Sequence, residues 1–310
     1  MLATTTIAQS TAAAGEVAAG PLLWGGLIAF LAAMVAVDLR VGAADQAMTV
    51  RRAATWSVVW LALALAFGAG LWIFAGGAAG ESYIAGYAME KALSVDNVFV
   101  FTLIFAALAV PREEQPRLLL YGILAALALR GVFIFAGAEA LERFSWVAWP
   151  FAAILAYTGV KLLRPSDDHD EGATIVERVR ARFPGARPAV LALLAIAFAD
   201  VLFAVDSVPA ILAITTDTFV VFAANAFALM GLRALFFLVA GLVARFAYLQ
   251  AGLGVLLVAI AAKLAYGELT GDKVPTAVTL ATIVGVLAVA ITASVLKERR
   301  GTTRIQPQEG

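Results

Sequence analysis

Two stretches of the sequence, Glu90-Lys-Ala-Leu-Ser-Val-Asp96-Asn97 and Asp200-Val-Leu-Phe-Ala-Val-Asp206-Ser207, repeat one acidic pattern inside long apolar segments. In each copy two carboxylates lie six residues apart, and the second is followed by an amide or a hydroxyl. Carboxylates are costly inside a membrane, and where they occur they are usually functional. A duplicated unit of this kind is typical of transporters whose binding site forms where the two copies meet.

The composition of the chain predicts a polytopic, all-α membrane protein. Of its 310 residues, 63% are hydrophobic and only 14% are charged, and the mean hydropathy is +0.93. Apolar runs of about 20 residues recur along the sequence, which is the length that a membrane-spanning helix needs. The runs lack the alternating pattern of a membrane β-barrel. The chain has no cysteine, which excludes disulfides and thiolate metal sites.

The apolar runs predict a bundle of about nine transmembrane helices. We place the spans near residues 22–39, 54–77, 83–109, 118–138, 144–163, 188–213, 219–244, 248–267 and 275–296. The predicted organisation is a flexible N-terminal tail (1–20), two peripheral helices (21–81), a first three-helix repeat (82–163), a cytoplasmic loop (164–187), a second three-helix repeat (188–268), a final helix (269–298) and a cytoplasmic tail (299–310).

The distribution of lysine and arginine predicts the orientation of the bundle, because positive charge accumulates in cytoplasmic loops. With the N-terminus outside and the C-terminus in the cytoplasm, fifteen basic residues lie in cytoplasmic segments and two, Arg143 and Lys273, lie in external ones.

The sequence similarity extends beyond the acidic motifs. The motifs recur at an offset of 110 residues, Arg130 and Arg233 at 103, and Lys161 and Lys263 at 102. Spans three to five therefore match spans six to eight in order. Because each unit has an odd number of spans, the second enters the membrane from the opposite side, which predicts an inverted 3+3 repeat.

The acidic motifs predict a cation site built only from oxygen ligands. Carboxylates, hydroxyls, amides and freed carbonyls suit hard divalent ions such as Mn²⁺, Ca²⁺ or Mg²⁺. On a continuous helix, residues six apart differ by about 9 Å in height and roughly 120° in direction, so a bent or unwound helix near Pro209 or Gly86 would help to gather the acids. The predicted ligands are Glu90, Asp96, Asn97, Asp200, Asp206 and Ser207, and the predicted supporting residues are Asp38, Ser94, Arg130, Asn225 and Arg233.

A structural role for these charges is the alternative interpretation, since buried ion pairs are common inside helix bundles. The acids would then only pair with Arg130, Arg233 and Lys91. Because Arg130 and Arg233 lie near mid-span, we expect both to pair with acids or carbonyls, whereas Lys161 and Lys263, near span ends, are expected to extend towards the membrane surface. A purely structural role explains neither the six-residue spacing of the acids in both copies nor the polar residue, Asn97 or Ser207, that follows the second acid. In the loop 164–187, the acidic cluster around His169 is consistent with either a weak metal sensor or, as we favour, a solvated linker.

The motif regions EKALSVDNVFVF (90–101) and FADVLFAVDSVPAILAITTDTFVVFAANAFALMGLRALFF (198–237) resemble the TerC/Alx family of bacterial membrane proteins. The resemblance runs from about residue 22 to 296. It implies an inner-membrane protein related to the lysine-exporter superfamily, linked to tellurium resistance and, in some members, to manganese export. It also places the six predicted ligands in an acidic site, with Asn225 and Arg233 beside it.

These observations predict a secondary transporter that exports Mn²⁺, or a similar hard divalent cation, in exchange for protons or another ion. We expect no enzymatic activity, no permanently bound cofactor and no nucleic-acid partner. One alternative is a membrane module that supports metalation or assembly of exported proteins, with partners among them or in the secretion machinery. Another is an exporter of cationic amino acids, because an acidic pocket also attracts ammonium groups.

Overall fold

The computed structural model describes residues 17, 19–42, 49–164, 171–239, 248–272 and 274–302, and this part of the chain is helical apart from short connections. Its helices are α1 (Pro21–Gly42), α2 (Val50–Ala75), α3 (Gly77–Ala107), α4 (Gln115–Arg143), a 3₁₀ turn (Ser145–Val147), α5 (Ala148–Leu163), α6 (Glu171–Arg182), α7 (Pro188–Leu212), α8 (Thr218–Met230), α9 (Leu232–Val239), α10 (Leu249–Thr270) and α11 (Thr276–Thr302). The predicted all-α class is confirmed.

Local sequence signals set the ends of several helices. Proline lies in the first turn of α4 and α7, where its missing N–H costs no hydrogen bond. The Asp217 carboxylate caps α8 by accepting from the backbone N–H groups of Phe219 (3.0 Å) and Val220 (3.1 Å). Gly271 ends α10 in the left-handed conformation, with φ at +74°, which glycine adopts without steric cost.

Eight segments of the described chain are long and apolar enough to cross a membrane. They correspond to eight of the nine predicted spans, with α8 and α9 together forming one of them. The predicted span at 83–109 lies in α3, which is 31 residues long but carries Glu81, Glu90, Lys91 and Asp96 and is not among the eight. The count of nine is therefore not confirmed, and the inverted repeat stays a prediction.

Helix α3 lies at the centre of the bundle, where it packs against α2, α6, α7, α8 and α11. Its charged residues are thereby surrounded by protein. A second close packing joins α5 to α10, where Gly159 and Gly254 face each other across the helix pair. A Cβ at Gly159 would lie only 2.8 Å from the Gly254 carbonyl oxygen, so these helices approach as closely as small residues allow.

The segment predicted as the loop 164–187 contains the amphipathic helix α6. Its apolar residues Ile175, Val176 and Val179 are buried in the main hydrophobic core, and the helix packs on α3 and α7. The predicted loop therefore contains a packed helix over residues 171–182, which was not predicted from the sequence. His169 and its acidic neighbours lie outside the described residues, as do 1–16 of the N-terminal tail and 303–310 of the C-terminal tail.

The membrane span formed by α8 and α9 is interrupted at Gly231. Just after the interruption, Arg233 donates to the Asp38 carboxylate (2.7 Å) and to the Asp38 carbonyl oxygen (2.6 Å) of α1. The prediction that Arg233 pairs with an acid or a carbonyl is confirmed. Because α1 has few other buried side chains, this buried ion pair is a principal link between α1 and the rest of the bundle.

Candidate ion-binding site

The first acids of the two motif copies, Glu90 and Asp200, are both bonded to one arginine, Arg130. Arg130 of α4 donates through Nη1 to Glu90 Oε2 of α3 and through Nε to Asp200 Oδ1 of α7, the latter at 3.3 Å. Arg130 is completely buried, and Glu90 and Asp200 are each 1% exposed. A guanidinium offers several fixed donors and stays charged. Arg130 can therefore neutralise part of the negative charge of both carboxylates in a site from which water is excluded.

The amide of Asn97 completes this network. When its oxygen faces the guanidinium, it accepts from Arg130 Nη2 at 3.2 Å and its nitrogen donates to the Leu93 carbonyl at 3.2 Å. Residues of both predicted motif copies, Glu90 and Asn97 from the first and Asp200 from the second, are thus held by Arg130. The prediction that Arg130 pairs with acids is confirmed, but sharing of one arginine between the copies was not predicted.

The second acid of each motif copy lines a cavity of about 120 Å³, which we call the motif cavity. Such a volume has room for several water molecules. Arg130 forms part of the wall, so the cavity is continuous with the buried ion network. Its polar lining consists of Asp96, Asn97, Arg130, Thr158, Lys161, Asp206, Ser207 and Gln250.

Helix α5 contributes two side chains to the motif cavity that were not predicted to lie in the site. The Thr158 hydroxyl donates to Asp206 Oδ1 at 2.8 Å, and Lys161, one turn later on the same face, lines the cavity as well. Lys161 is exposed, so it lies at the cavity mouth. Gln250, at the start of α10, was also missed because it follows a sequence stretch without any motif signal.

Helix geometry explains why the four acids form two pairs. Both α3 and α7 are continuous through their motifs, so Glu90 and Asp96, six residues apart, point in directions roughly 120° apart. Neither helix is unwound at the expected points, because α3 continues across Gly86 and α7 continues across Pro209. The inner pair faces Arg130, and the outer pair faces the motif cavity.

The structure does not gather the predicted ligands into one metal shell. Within the described ranges, no group of three or more Asp, Glu, His or Cys side chains is placed to hold a metal ion. The motif cavity nevertheless presents only oxygen-bearing ligands beside its two cationic groups. Ser207 Oγ is buried and has no hydrogen-bond partner in the part of the chain that the structure describes. An ion there would be held by two carboxylates together with neutral oxygens and water, as hard cations often are.

The structure also gives the positions of two predicted supporting residues, Ser94 and Asn225, and of Lys91. Ser94 donates to the Glu90 carbonyl at 2.7 Å and so satisfies its hydroxyl within α3. Asn225 is fully buried, and neither of its side-chain polar atoms has a hydrogen-bond partner among the described residues. Arg233, on the same span, pairs with Asp38. Lys91 donates to the Ala228 carbonyl of α8 at 3.3 Å, where the helix nears its interruption.

Residues 75–302, which contain both motif copies and the motif cavity, match the family model of the integral membrane protein TerC family. The chain belongs to the TerC family. The match includes every predicted site residue except Asp38, and it confirms both the resemblance and the multi-pass membrane class. No solved structure matches the chain significantly.

Relatives of this TerC family chain extend along nearly its whole length. It is 43% identical over 304 residues to an uncharacterized membrane protein of Myxococcus xanthus, covering 91% of this chain and 95% of the relative. It is 38% identical over 301 residues to the "Putative membrane-bound redox modulator Alx" of Escherichia coli K12 (86% and 92% covered). It is 32% identical over 318 residues to the tellurium resistance protein TerC of Serratia marcescens (87% and 92% covered).

Proposed function

We propose that this protein is a secondary transporter that exports a hard divalent cation, Mn²⁺ or an ion of similar chemistry, across the bacterial inner membrane. One observation carries the proposal: Asp96 and Asp206, the second acids of the two motif copies, line one cavity next to a buried network that holds the first acids. The ion binds between these carboxylates, with oxygens from Asn97, Ser207 and Thr158 within the same lining. The choice of Mn²⁺ comes from the family resemblance.

The charge of the site supports a divalent ion. Arg130 carries one positive charge against Glu90 and Asp200, and Lys161 at the cavity mouth carries one against Asp96 and Asp206. With all six groups ionised, the site bears two net negative charges, which one divalent cation neutralises. In a medium of low dielectric constant, this balance strongly favours a doubly charged ion over a neutral solute or an anion.

The predicted inverted repeat is the basis of the alternating-access mechanism that we propose. The two motif copies lie on α3 and α7, and the repeats rock against each other around the ion. Metal and protons compete for the same carboxylates, which gives a simple basis for exchange of one for the other. In this scheme Glu90 and Asp200 complete the ligand set when Arg130 withdraws, and they are neutralised by Arg130 when it returns.

A second candidate function comes from the family resemblance: the protein supplies metal to exported proteins or supports their assembly. The names of two relatives refer to redox modulation and to tellurium resistance rather than to transport. Without cysteine, this chain offers no thiol for a redox reaction, so a redox effect would be indirect, through metal supply. Tellurite is an anion and an acidic cavity repels it, so any tellurium resistance is also indirect. This candidate requires partner proteins that co-purify with the chain, and little transport by the purified protein alone.

Flux into proteoliposomes tests the proposal directly. We expect purified protein to transport Mn²⁺ with a pH gradient, and Asp206→Asn to reduce the rate by about 10–100-fold, as loss of an important metal-site group does. Glu139→Gln is the matched control, because this carboxylate is on the surface, where it pairs with Arg143. Undiminished flux in Asp206→Asn contradicts the assignment, and inhibition by lysine rather than by Ca²⁺ or Mg²⁺ favours an amino-acid exporter.

A further inference from the structure

A second and larger cavity, of about 540 Å³, lies where three helix connections come together. We call it the hairpin cavity. Its lining comes from both sides of the α4–α5 and α10–α11 connections and from the end of α7 with the start of the α7–α8 connection. Its polar residues are Glu142, Thr215, Thr216, Lys263, Glu268, Asp272 and Thr276. All three connections were predicted to lie outside the cytoplasm, and the shared cavity places them at one end of the bundle, in agreement with the alternation of the chain.

The motif cavity and the hairpin cavity are lined by consecutive parts of the same three helices, α5, α7 and α10. On α7, Asp206 and Ser207 line the motif cavity and Leu212 lines the hairpin cavity. On α10, Leu257 lines the motif cavity and Lys263 lines the hairpin cavity. Each of these steps spans about six residues, or roughly 9 Å of helix. The two cavities are therefore arranged one after the other along the helix axes.

A layer of apolar side chains separates the two cavities. Leu155, Ala210 and Ile260, one from each of the three helices, are buried in a single hydrophobic cluster with Ala85 and Met89 of α3. We call this cluster the apolar plug. None of its side chains offers a ligand to an ion, and transfer of a charged group into such surroundings is very costly. A cation therefore cannot cross the plug in this conformation.

The hairpin cavity has the chemistry of an entry or exit for cations. Its three carboxylates, Glu142, Glu268 and Asp272, are all exposed and outnumber its one lysine, Lys263. An acidic vestibule raises the local concentration of cations. The repeat-related lysines Lys161 and Lys263 line the motif cavity and the hairpin cavity respectively, which is the placement that an inverted repeat would give them.

We propose that the hairpin cavity is the second vestibule of the transport path, that it admits hydrated divalent cations, and that it faces the side of the membrane opposite to the motif cavity. The inference rests on the proposed transport function. The apolar plug is the closed barrier in this conformation, and parting of Leu155 from Ile260 connects the site to the hairpin cavity. At the same time the motif cavity closes to its own side of the membrane, so that the bound ion becomes accessible only from the opposite side.

Single-cysteine labelling tests this arrangement, because the natural chain has no cysteine to interfere. Thr216→Cys reports on the hairpin cavity, Gln250→Cys on the motif cavity and Ile260→Cys on the apolar plug. Each variant is exposed to a membrane-impermeant, positively charged thiol reagent in right-side-out and in inverted membrane vesicles. Glu139→Cys and Arg180→Cys are surface controls that mark the two sides, since they lie at the end of α4 and on α6.

We expect Thr216→Cys to react from the same side as Glu139→Cys, and Gln250→Cys from the same side as Arg180→Cys. Ile260→Cys should react at least about tenfold more slowly from either side, because a charged reagent is excluded from an apolar layer. Thr276→Cys serves as a second reporter if Thr216→Cys does not fold. Reaction of the two cavity reporters from one side, or rapid reaction of Ile260→Cys, overturns the proposal. Labelling requires no metal, so its result is separate from a failure of Mn²⁺ flux.

Discussion

At the scale of single residues, Arg130 is the organising side chain of the site. It holds the first acid of both motif copies and also forms part of the wall of the motif cavity. Buried ion networks of this kind gain little net stability over an apolar core, but removing one partner leaves the remaining charges uncompensated. The arginine is therefore required by the acids whether or not it contacts the transported ion.

Arg130→Met leaves Glu90 and Asp200 buried without a counter-charge, and we expect it to lower the stability of the folded protein by about 3–5 kcal/mol. Unfolding of the purified protein in detergent, followed by circular dichroism, measures the change. Arg143→Met is the control, because its ion pair with Glu139 is largely exposed and such pairs contribute about 0–1 kcal/mol. Equal stability of the two variants would show that the network is not structural.

Sequence reasoning identified the buried charges but not how they are paired. That Arg130 needs acidic partners followed from its mid-span position, and the sharing between copies depends on the packing of α4 against α7, which no local pattern encodes. Lys161 was expected to extend towards the membrane surface. Its position three residues after Thr158 was an available signal, because residues three apart share a helix face, and Thr158 is bonded to Asp206.

At the scale of the helices, the contact between α5 and α10 fixes the wall of the motif cavity. Thr158 and Lys161 flank Gly159, and Gly254 lies between Gln250 and Leu257 of α10. The glycines allow the two backbones to approach, which brings these lining residues together. Which glycines face each other depends on how α5 packs on α10, and no local pattern in the sequence encodes that.

Gly159→Ala should widen this contact, because its Cβ would meet two backbone atoms, the Gly254 oxygen at 2.8 Å and the Val258 nitrogen at 2.9 Å. Backbone atoms cannot rotate away, so we expect a loss of about 1–3 kcal/mol in stability, seen as a lower midpoint of thermal unfolding. Gly285→Ala in α11 is the matched control. No atom lies within 4 Å of its added Cβ, and alanine favours the helix by about 1 kcal/mol. A similar loss in both variants would contradict the account.

Hydropathy alone does not predict helix α6, which lies in a segment that was expected to be a loop. Its segment has few apolar residues, and the run of charges at its end favoured a linker. Its three buried side chains at positions 175, 176 and 179 follow helical spacing, but a pattern this short carries weight only when a surface to pack against is known. That surface is formed by α3 and α7, the two helices that carry the acidic motifs.

At the scale of the whole molecule, the fold class was predictable and the interior arrangement was not. The length and composition of the apolar runs were sufficient to predict a helical membrane bundle. They also predicted the eight segments of the described chain that are long and apolar enough to cross a membrane. The central helix α3 does not meet the same criteria because it concentrates the charges of the site. Its enclosure by other helices replaces lipid with protein around those charges, a tertiary effect that hydropathy alone cannot express.

The predicted orientation of the whole molecule can be measured with a reporter. Because basic residues are concentrated in one set of connections, we expect green fluorescent protein fused after Gly310 to be fluorescent in the cytoplasm, and alkaline phosphatase at the same site to be inactive. The reverse pattern would invert the bundle and exchange the sides to which the motif cavity and the hairpin cavity are assigned.

The ion network around Arg130 has a consequence for biosynthesis. Asp200 follows Arg130 by 70 residues in the chain, so the ribosome delivers α4 to the membrane well before α7 exists. Glu90, 40 residues earlier, is already there to accompany the arginine during insertion. The α3–α4 pair can therefore enter the lipid as a hairpin in which Glu90 neutralises Arg130. The Nε donor of Arg130 then binds Asp200 once α7 has been inserted. In this protein, the order of synthesis is matched to the order in which the charges find partners.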